Sequence, residues 1–266
     1  MLEILQMDLS SKSIGLALSG GGSKGIAHAG VLKFLEERGV EISCVSGSSA
    51  GAIVGTMYAF GKNPEEILEF FKSIYFFHWK HFTFKKPGIV DSESFKKYFE
   101  DIFGENTTLS ELKIPTHITA TDMVKGKLKI FSPQTKIVDA ILASTAVPGM
   151  ISPYIINEEL YCDGGILNHF PADLLLGKCD AIIGVYVSPL QNIKAKDLNS
   201  IKSVTYRALE LLTANSNVHK FNHCDLIIEP KELCNFSTFE TNKSKMDLIF
   251  ETGYNEAKKV FHNLAI

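Results

Sequence analysis

Apolar positions near the start of the chain change rhythm in a repeating order. Residues 14–19 form a short apolar run rich in strand formers ending on Gly20-Gly21-Gly22, and residues 26–38 then carry Ile26, Ala29, Val31, Leu32 and Leu35 at helical spacing before Gly39 stops the pattern. The grammar recurs at once, with residues 42–45 as a buried strand, Ser46-Gly47-Ser48-Ser49 as a turn, and residues 50–60 as a helix closed by Gly61. Two successive strand–turn–helix units predict a parallel sheet covered on both faces. Further strands are predicted at residues 116–121, 127–131, 160–162, 181–187 and 226–229. A helix start is predicted at Asn63-Pro64-Glu65-Glu66, and an amphipathic helix over 247–264. With no linker, repeat or low-complexity tract in the pattern, one α/β domain over residues 1–266 is the expected organisation.

Composition narrows the partners. The 266 residues are 45% hydrophobic, enough for a sizeable core, and 27 Lys plus Arg against 30 Asp plus Glu give a net charge of -3. Such a balance creates no strong positive field, so nucleic acid is not an expected partner. Cysteines at 44, 162, 179, 224 and 234 are odd in number, scattered, and form no CxxC pair, which argues against a disulfide framework and a structural zinc site and for a reducing compartment. The start MLEILQMDLSSKS is acidic where a secretory signal is basic, and no stretch reaches the roughly 18 apolar residues of a membrane span. A cytoplasmic, soluble chain is the expectation.

Gly20-Gly21-Gly22-Ser23-Lys24-Gly25 fits GxGxxG between a strand and a helix, so a dinucleotide-binding turn is one reading. That reading wants an acidic residue at the end of the second strand, where this chain has Ser46-Gly47-Ser48-Ser49. The phosphate-loop pattern also fails, because Lys24 precedes the last glycine and no Ser or Thr follows a Gly-Lys pair. What the letters keep is backbone N–H groups converging at a helix start, a site for negative charge that suits an oxyanion, with Lys24 adding positive charge nearby. A tight turn that only packs helix on sheet has the same letters.

Gly47-Ser48-Ser49-Ala50-Gly51 matches GxSxG, in which flanking small residues let a serine sit in a strained elbow. A helix capped by Ser48 or Ser49 gives the same pattern. Two adjacent βα turns end at one carboxyl edge of a parallel sheet, so the glycine turn and Ser49 are expected to face one another, an anion hole beside a nucleophile. For the base, the order Ser, acid, His nominates His169, His219 or His223, while Asp163 in Tyr161-Cys162-Asp163-Gly164-Gly165 follows a short apolar strand. An Asp-Gly turn is the structural alternative for Asp163.

Together these residues resemble the patatin-like phospholipase family. Residues 19–25 are similar to its glycine-rich oxyanion motif, Gly47 to Gly51 to its nucleophile elbow, and Asp163-Gly164-Gly165 to its acidic motif. Residues 143–149, Pro87-Gly88-Ile89-Val90-Asp91 and Gly253-Tyr254-Asn255-Glu256-Ala257 resemble further landmarks, so the likeness spans about residues 14–261. The resemblance implies a mostly parallel central sheet sandwiched between helices, no metal and no cofactor, and lipid or other acyl-ester substrates. It implies Ser49 as nucleophile and Asp163 as base, with Gly20, Gly21, Gly22, Ser23, Lys24 and Gly25 around the oxyanion. The donors expected there are the amides of Gly21, Gly22 and Ser23. An ordinary Asp, with a pKa near 3.9, is a weak base, so partial desolvation and a direct bond to Ser49 are required. Ile151-Ser152-Pro153-Tyr154 and His169-Phe170 depart from the family pattern, and both are expected near the acyl pocket.

Phe70, Phe71, Tyr75, Phe76, Phe77, Trp79, Phe82 and Phe84, with Lys72 and Lys80 among them, suit either core packing or transient contact with a membrane surface. The expected function is a serine acyl hydrolase of phospholipase A, lysophospholipase or lipase type. A nucleotide-binding module, an acyltransferase using the same pair and an inactive lipid-binding protein are the alternatives. Oligomeric state has no signal in the letters.

Overall fold

The computed structural model describes residues 12–74, 81–83 and 86–264. Its centre is an eight-stranded sheet. β1 (Ile14–Leu18), β2 (Ile42–Ser48), β3 (Thr116–Asp122), β7 (Ala181–Val185) and β8 (Leu226–Ile228) run parallel in the order β3-β2-β1-β7-β8. β4 (Lys127–Ile130) and β6 (Glu159–Asp163) pair antiparallel with β3, and β5 (Tyr154–Ile156) pairs antiparallel with β6. All five residues of β1 and of β7 are buried, as strands covered on both faces must be.

Side-chain alternation divides the interior. Ile14, Leu16 and Leu18 of β1 join the larger core with α1 (Ile26–Glu37), α2 (Ala50–Phe60), α3 (Pro64–Ser73), α5 (Ile137–Ser144) and α8 (Lys243–Leu264). Ala17 of β1 turns to the other face, where Phe170, Leu175, Ile182 and Tyr186 form a smaller cluster. α4 (Lys96–Phe103) adds Phe99 and Phe103 to the larger core, α6 (Gly165–Asn168) follows β6 directly, and α7 (Ile201–Asn217) lies beside α6. The predicted α3 start is a complete capping box: the Asn63 side chain accepts from the Glu66 amide at 2.8 Å, and the Glu66 carboxylate accepts from the Asn63 amide at 2.9 Å.

Eleven strand and helix positions read from the pattern fall within a few residues of these elements. β5 was not anticipated. It is three residues long and begins after Pro153, and its pairing with β6 depends on Asn157 and Glu158, both with positive φ (49° and 68°) in a two-residue hairpin turn. Among the described residues, no helix is long and apolar enough to cross a membrane.

Candidate active site

β2 leads straight into α2 through Ser49, whose φ of 52° and ψ of -122° are outside the comfortable regions for a residue with a Cβ. The turn is possible because its neighbours are glycines: a Cβ on Gly47 would lie 2.5 Å from the Gly51 carbonyl oxygen, and one on Gly51 would strike the Leu18 carbonyl. The strained backbone is held by Ser144 at the end of α5, whose hydroxyl accepts the Ser49 amide at 2.9 Å. Ser144 lies within the residue 143–149 landmark, yet nothing in that pattern distinguishes its role from that of a helix residue.

Asp163 reaches Ser49 by register. Ser48, the last residue of β2, pairs with Thr119 of β3, and Asp163, the last residue of β6, pairs with the next β3 residue, Ala120. β4 occupies the other side of Thr119 and Ala120, so β2 and β6 approach along one edge of β3 from opposite directions and end facing each other. The Ser49 side chain adjoins the Asp163 carboxylate, which accepts the Gly165 amide at 2.7 Å. Burial raises the Asp163 pKa to about 6, and the Ser49 hydroxyl and the Gly165 amide oppose the rise. Gly164 fits against the Thr119 carbonyl, where a side chain would collide.

The glycine turn is fixed from several directions. The Gly20 amide donates to the His169 carbonyl at 3.0 Å, the Ser188 hydroxyl donates to the Gly20 carbonyl at 2.8 Å, and the Ser23 hydroxyl donates to the Glu240 carbonyl at 3.1 Å. Ser23 does not present its amide as expected, because that N–H donates to the Thr238 carbonyl at 2.8 Å. Gly21 and Gly22, the latter in the left-handed region at φ 57°, have amides without a partner among the described residues, and both line the cavity that contains Ser49 and Asp163. Gly25 packs against Ala50, locking the two turns together. Lys24 is buried at the cavity wall, where desolvation pulls its pKa below the usual lysine range and Glu210 opposes the shift.

Two cavities meet at Ser49. The larger, about 320 Å³, holds Asp163, His169 and Lys24 on one side and Tyr206 and Glu210 of α7 on the other. The smaller is an apolar slot of about 40 Å³ bounded by Ala50, Ile53, Phe71, Thr145 and Ile151. Val147, Thr238 and Phe239 border both. The α7 wall and the Thr238 loop were invisible in the sequence, since they carry no motif and come from the last third of the chain. Tyr206 and Thr238 both line the larger cavity, so the two walls meet there.

Of the nominated histidines, His169 lines the larger cavity between Gly20 and Gly165, while His219 and His223 line neither cavity. Burial lowers the His169 pKa to about 4, so the ring is neutral near pH 7. Of the two departures expected near an acyl pocket, Ile151 lines the slot, whereas Phe170 is fully buried in the smaller core against Tyr186 and Phe221. In the aromatic segment, Phe70 and Phe71 are buried and Phe82 is 42% exposed. Tyr75, Phe76, Phe77, Trp79, Lys80 and Phe84 lie outside the described residues.

Comparison with known proteins gives a family match and a fold match. The family model described as patatin-like phospholipase matches residues 16–176. An uncharacterized NTE family protein of Mycobacterium tuberculosis is 34% identical over 201 residues, covering 71% of this chain and 52% of the relative. Neuropathy target esterase sws of Drosophila melanogaster is 29% identical over 175 residues, covering 63% of this chain and 12% of the relative. The matched region thus spans about half the length of the mycobacterial relative. The crystal structure of VipD from Legionella pneumophila superposes with a TM-score of 0.54 at 15% identity, covering 95% of this chain and 67% of VipD.

Proposed function

The chain belongs to the patatin-like phospholipase family, and from that premise we propose that it hydrolyses carboxylic esters of lipids through Ser49 and Asp163. The observation that carries the reading is the Ser49 side chain set beside Asp163 in one cavity, with the carboxylate's basicity raised by burial. An Asp with a pKa near 6 is largely ionised at pH 7.5 and much more basic than an exposed one, which answers the chemical objection to a carboxylate base.

The reaction proceeds in two halves. Ser49 Oγ attacks the ester carbonyl carbon as Asp163 takes its proton, and negative charge on the carbonyl oxygen is met by the Gly21 and Gly22 amides. The bond to the alcohol oxygen breaks as Asp163 returns the proton to it. Water then attacks the acyl enzyme, again giving its proton to Asp163, and release of the acid restores the Ser49 hydroxyl. An alcohol in place of that water would give acyl transfer from the same intermediate.

A panel of p-nitrophenyl esters and phospholipid vesicles tests the proposal. Wild type is expected to release acid from at least one ester, and Ser49→Ala to lose that turnover while keeping its melting temperature. Turnover intact in Ser49→Ala rejects the reading. Retention on a dinucleotide resin with no esterase activity supports the nucleotide-binding alternative instead.

A further inference from the structure

We infer that the outer face of α7, with the loop that precedes it, docks the protein on an anionic lipid bilayer and sets the large cavity against that surface. The placement serves the proposed hydrolysis of lipid esters and rests on that reading, whereas the docking itself does not. A surface helix normally turns its apolar stripe inward and its charges to water, as α8 does with Ile249 and Phe250 inside and Lys245, Asp247 and Glu251 outside. α7 is inverted. Tyr206, Arg207, Glu210 and Thr213 line the large cavity together with Leu209, while Ile201, Val204, Leu211 and Leu212 are exposed. At roughly 100° per residue the two sets fall on opposite sides of the helix, and the exposed Ala208 continues the outer stripe. Ile201 and Leu212 are 89% and 69% exposed, so this stripe has no cover among the described residues. A contiguous apolar surface left in water marks an interaction site, which a single exposed leucine does not.

The charge around the stripe selects the partner. From residue 188 to residue 217 the acids are Asp197 and Glu210 alone. Glu210 lines the cavity and pairs with Arg207 at 3.1 Å, and the Asp197 carboxylate accepts the Lys194 amide at 3.0 Å. Lys194 and Lys196 are exposed. Arg207 also donates to the Gln191 carbonyl at 2.8 Å, which fastens the loop to α7 and makes the lysines and the stripe one surface. In a chain of net charge -3, this face is apolar and flanked by cations, the combination that suits anionic headgroups and the acyl boundary beneath them. Leu190 and Ile193 of the loop are exposed and also line the large cavity. Apolar surface therefore leads from the docking face to the cavity that holds Ser49, which favours a lipid surface over a protein partner.

Cosedimentation with vesicles tests the docking, comparing phosphatidylcholine alone with an equal mixture of phosphatidylcholine and phosphatidylglycerol. Wild type is expected to bind the anionic vesicles at least about tenfold more tightly, since each lysine near such a surface contributes roughly a fivefold gain. Ile201→Glu combined with Leu212→Glu is expected to weaken that binding by at least about tenfold, and Lys194→Gln combined with Lys196→Gln to lose the preference for anionic vesicles. None of these four residues lines either cavity, so melting temperature and turnover of a soluble p-nitrophenyl ester are expected to match wild type in both variants. No binding of wild type to anionic vesicles, or undiminished binding by the glutamate variant, overturns the inference. A wild-type dimer in light scattering that the glutamates break, with no vesicle binding, overturns it too and gives the stripe to a second copy. The hydrolase reading fails separately: if no ester turns over while vesicle binding follows the expected pattern, the docking surface stands without it.

Discussion

Asp163 carries opposing demands at the scale of a single residue. Its burial favours the protonated form, so the folded protein holds that proton more tightly than the unfolded chain does. As pH rises from about 4 to about 6, the unfolded chain loses its proton first and stability falls, leaving the full penalty in place above about 6. A shift from 3.8 to about 6 corresponds to roughly 2 to 3 kcal/mol. Asp163→Asn is therefore expected to raise the melting temperature at pH 7.5 by several degrees, a gain that shrinks toward pH 4 in thermal melts. The same substitution is expected to reduce kcat by roughly 100- to 10,000-fold, the usual contribution of a general base. His169→Gln separates the two candidate bases: its kcat is expected to stay within about tenfold of wild type, and a loss equal to that of Asp163→Asn assigns the base to His169 instead.

At the scale of elements, the site is an accident of no single motif. GxSxG and Asp-Gly-Gly were legible because glycine is demanded where Gly51 meets the Leu18 carbonyl and Gly164 meets that of Thr119. Their meeting was not legible, because it depends on β2 and β6 registering against consecutive residues of β3, and β6 runs antiparallel in a sheet whose pattern reads as parallel. Ser144 was missed for a similar reason: its role is a hydrogen bond across 95 positions of sequence. Ser144→Ala leaves the buried Ser49 amide unpaired and is expected to cost about 1 to 3 kcal/mol in urea denaturation, with a fall in kcat as the elbow relaxes. The helices give a contrasting case. α1 and α8 cross where Gly30 abuts the Phe250 carbonyl and Gly253 abuts that of Ala27, so Gly253→Val must push the helices apart. That variant is expected to lose about 1 to 3 kcal/mol of stability with its esterase activity at 15 °C little changed, because the crossing lies away from both cavities.

Across the whole molecule, buried titratable groups govern the response to acid. His28 and His169 both have pKa values lowered to about 4 by burial, so below the ordinary histidine value near 6.5 the unfolded chain takes up protons that the folded one refuses. Stability from these two groups is complete above about 6.5 and is lost as pH falls toward 4, opposed between about 6 and 4 by the gain at Asp163, so equilibrium unfolding of Asp163→Asn at a series of pH values isolates it. The sheet order itself was only partly anticipated. Apolar runs such as Ile14–Leu18 and Ala181–Val185 announce buried parallel strands, but nothing in their composition tells which lies beside which. The large cavity is a property of that order, since it joins turns after β1 and β2 to α7 and to the Thr238 loop.

The most direct measurement is the pH dependence of covalent labelling by a fluorophosphonate probe, located by peptide mass spectrometry, in wild type and Asp163→Asn. Modification is expected at Ser49, at a rate that rises through a pKa of about 6 in wild type and is slow and flat across that range in the variant. Labelling at another residue, or an unchanged rate and profile in Asp163→Asn, contradicts a Ser49 nucleophile activated by Asp163.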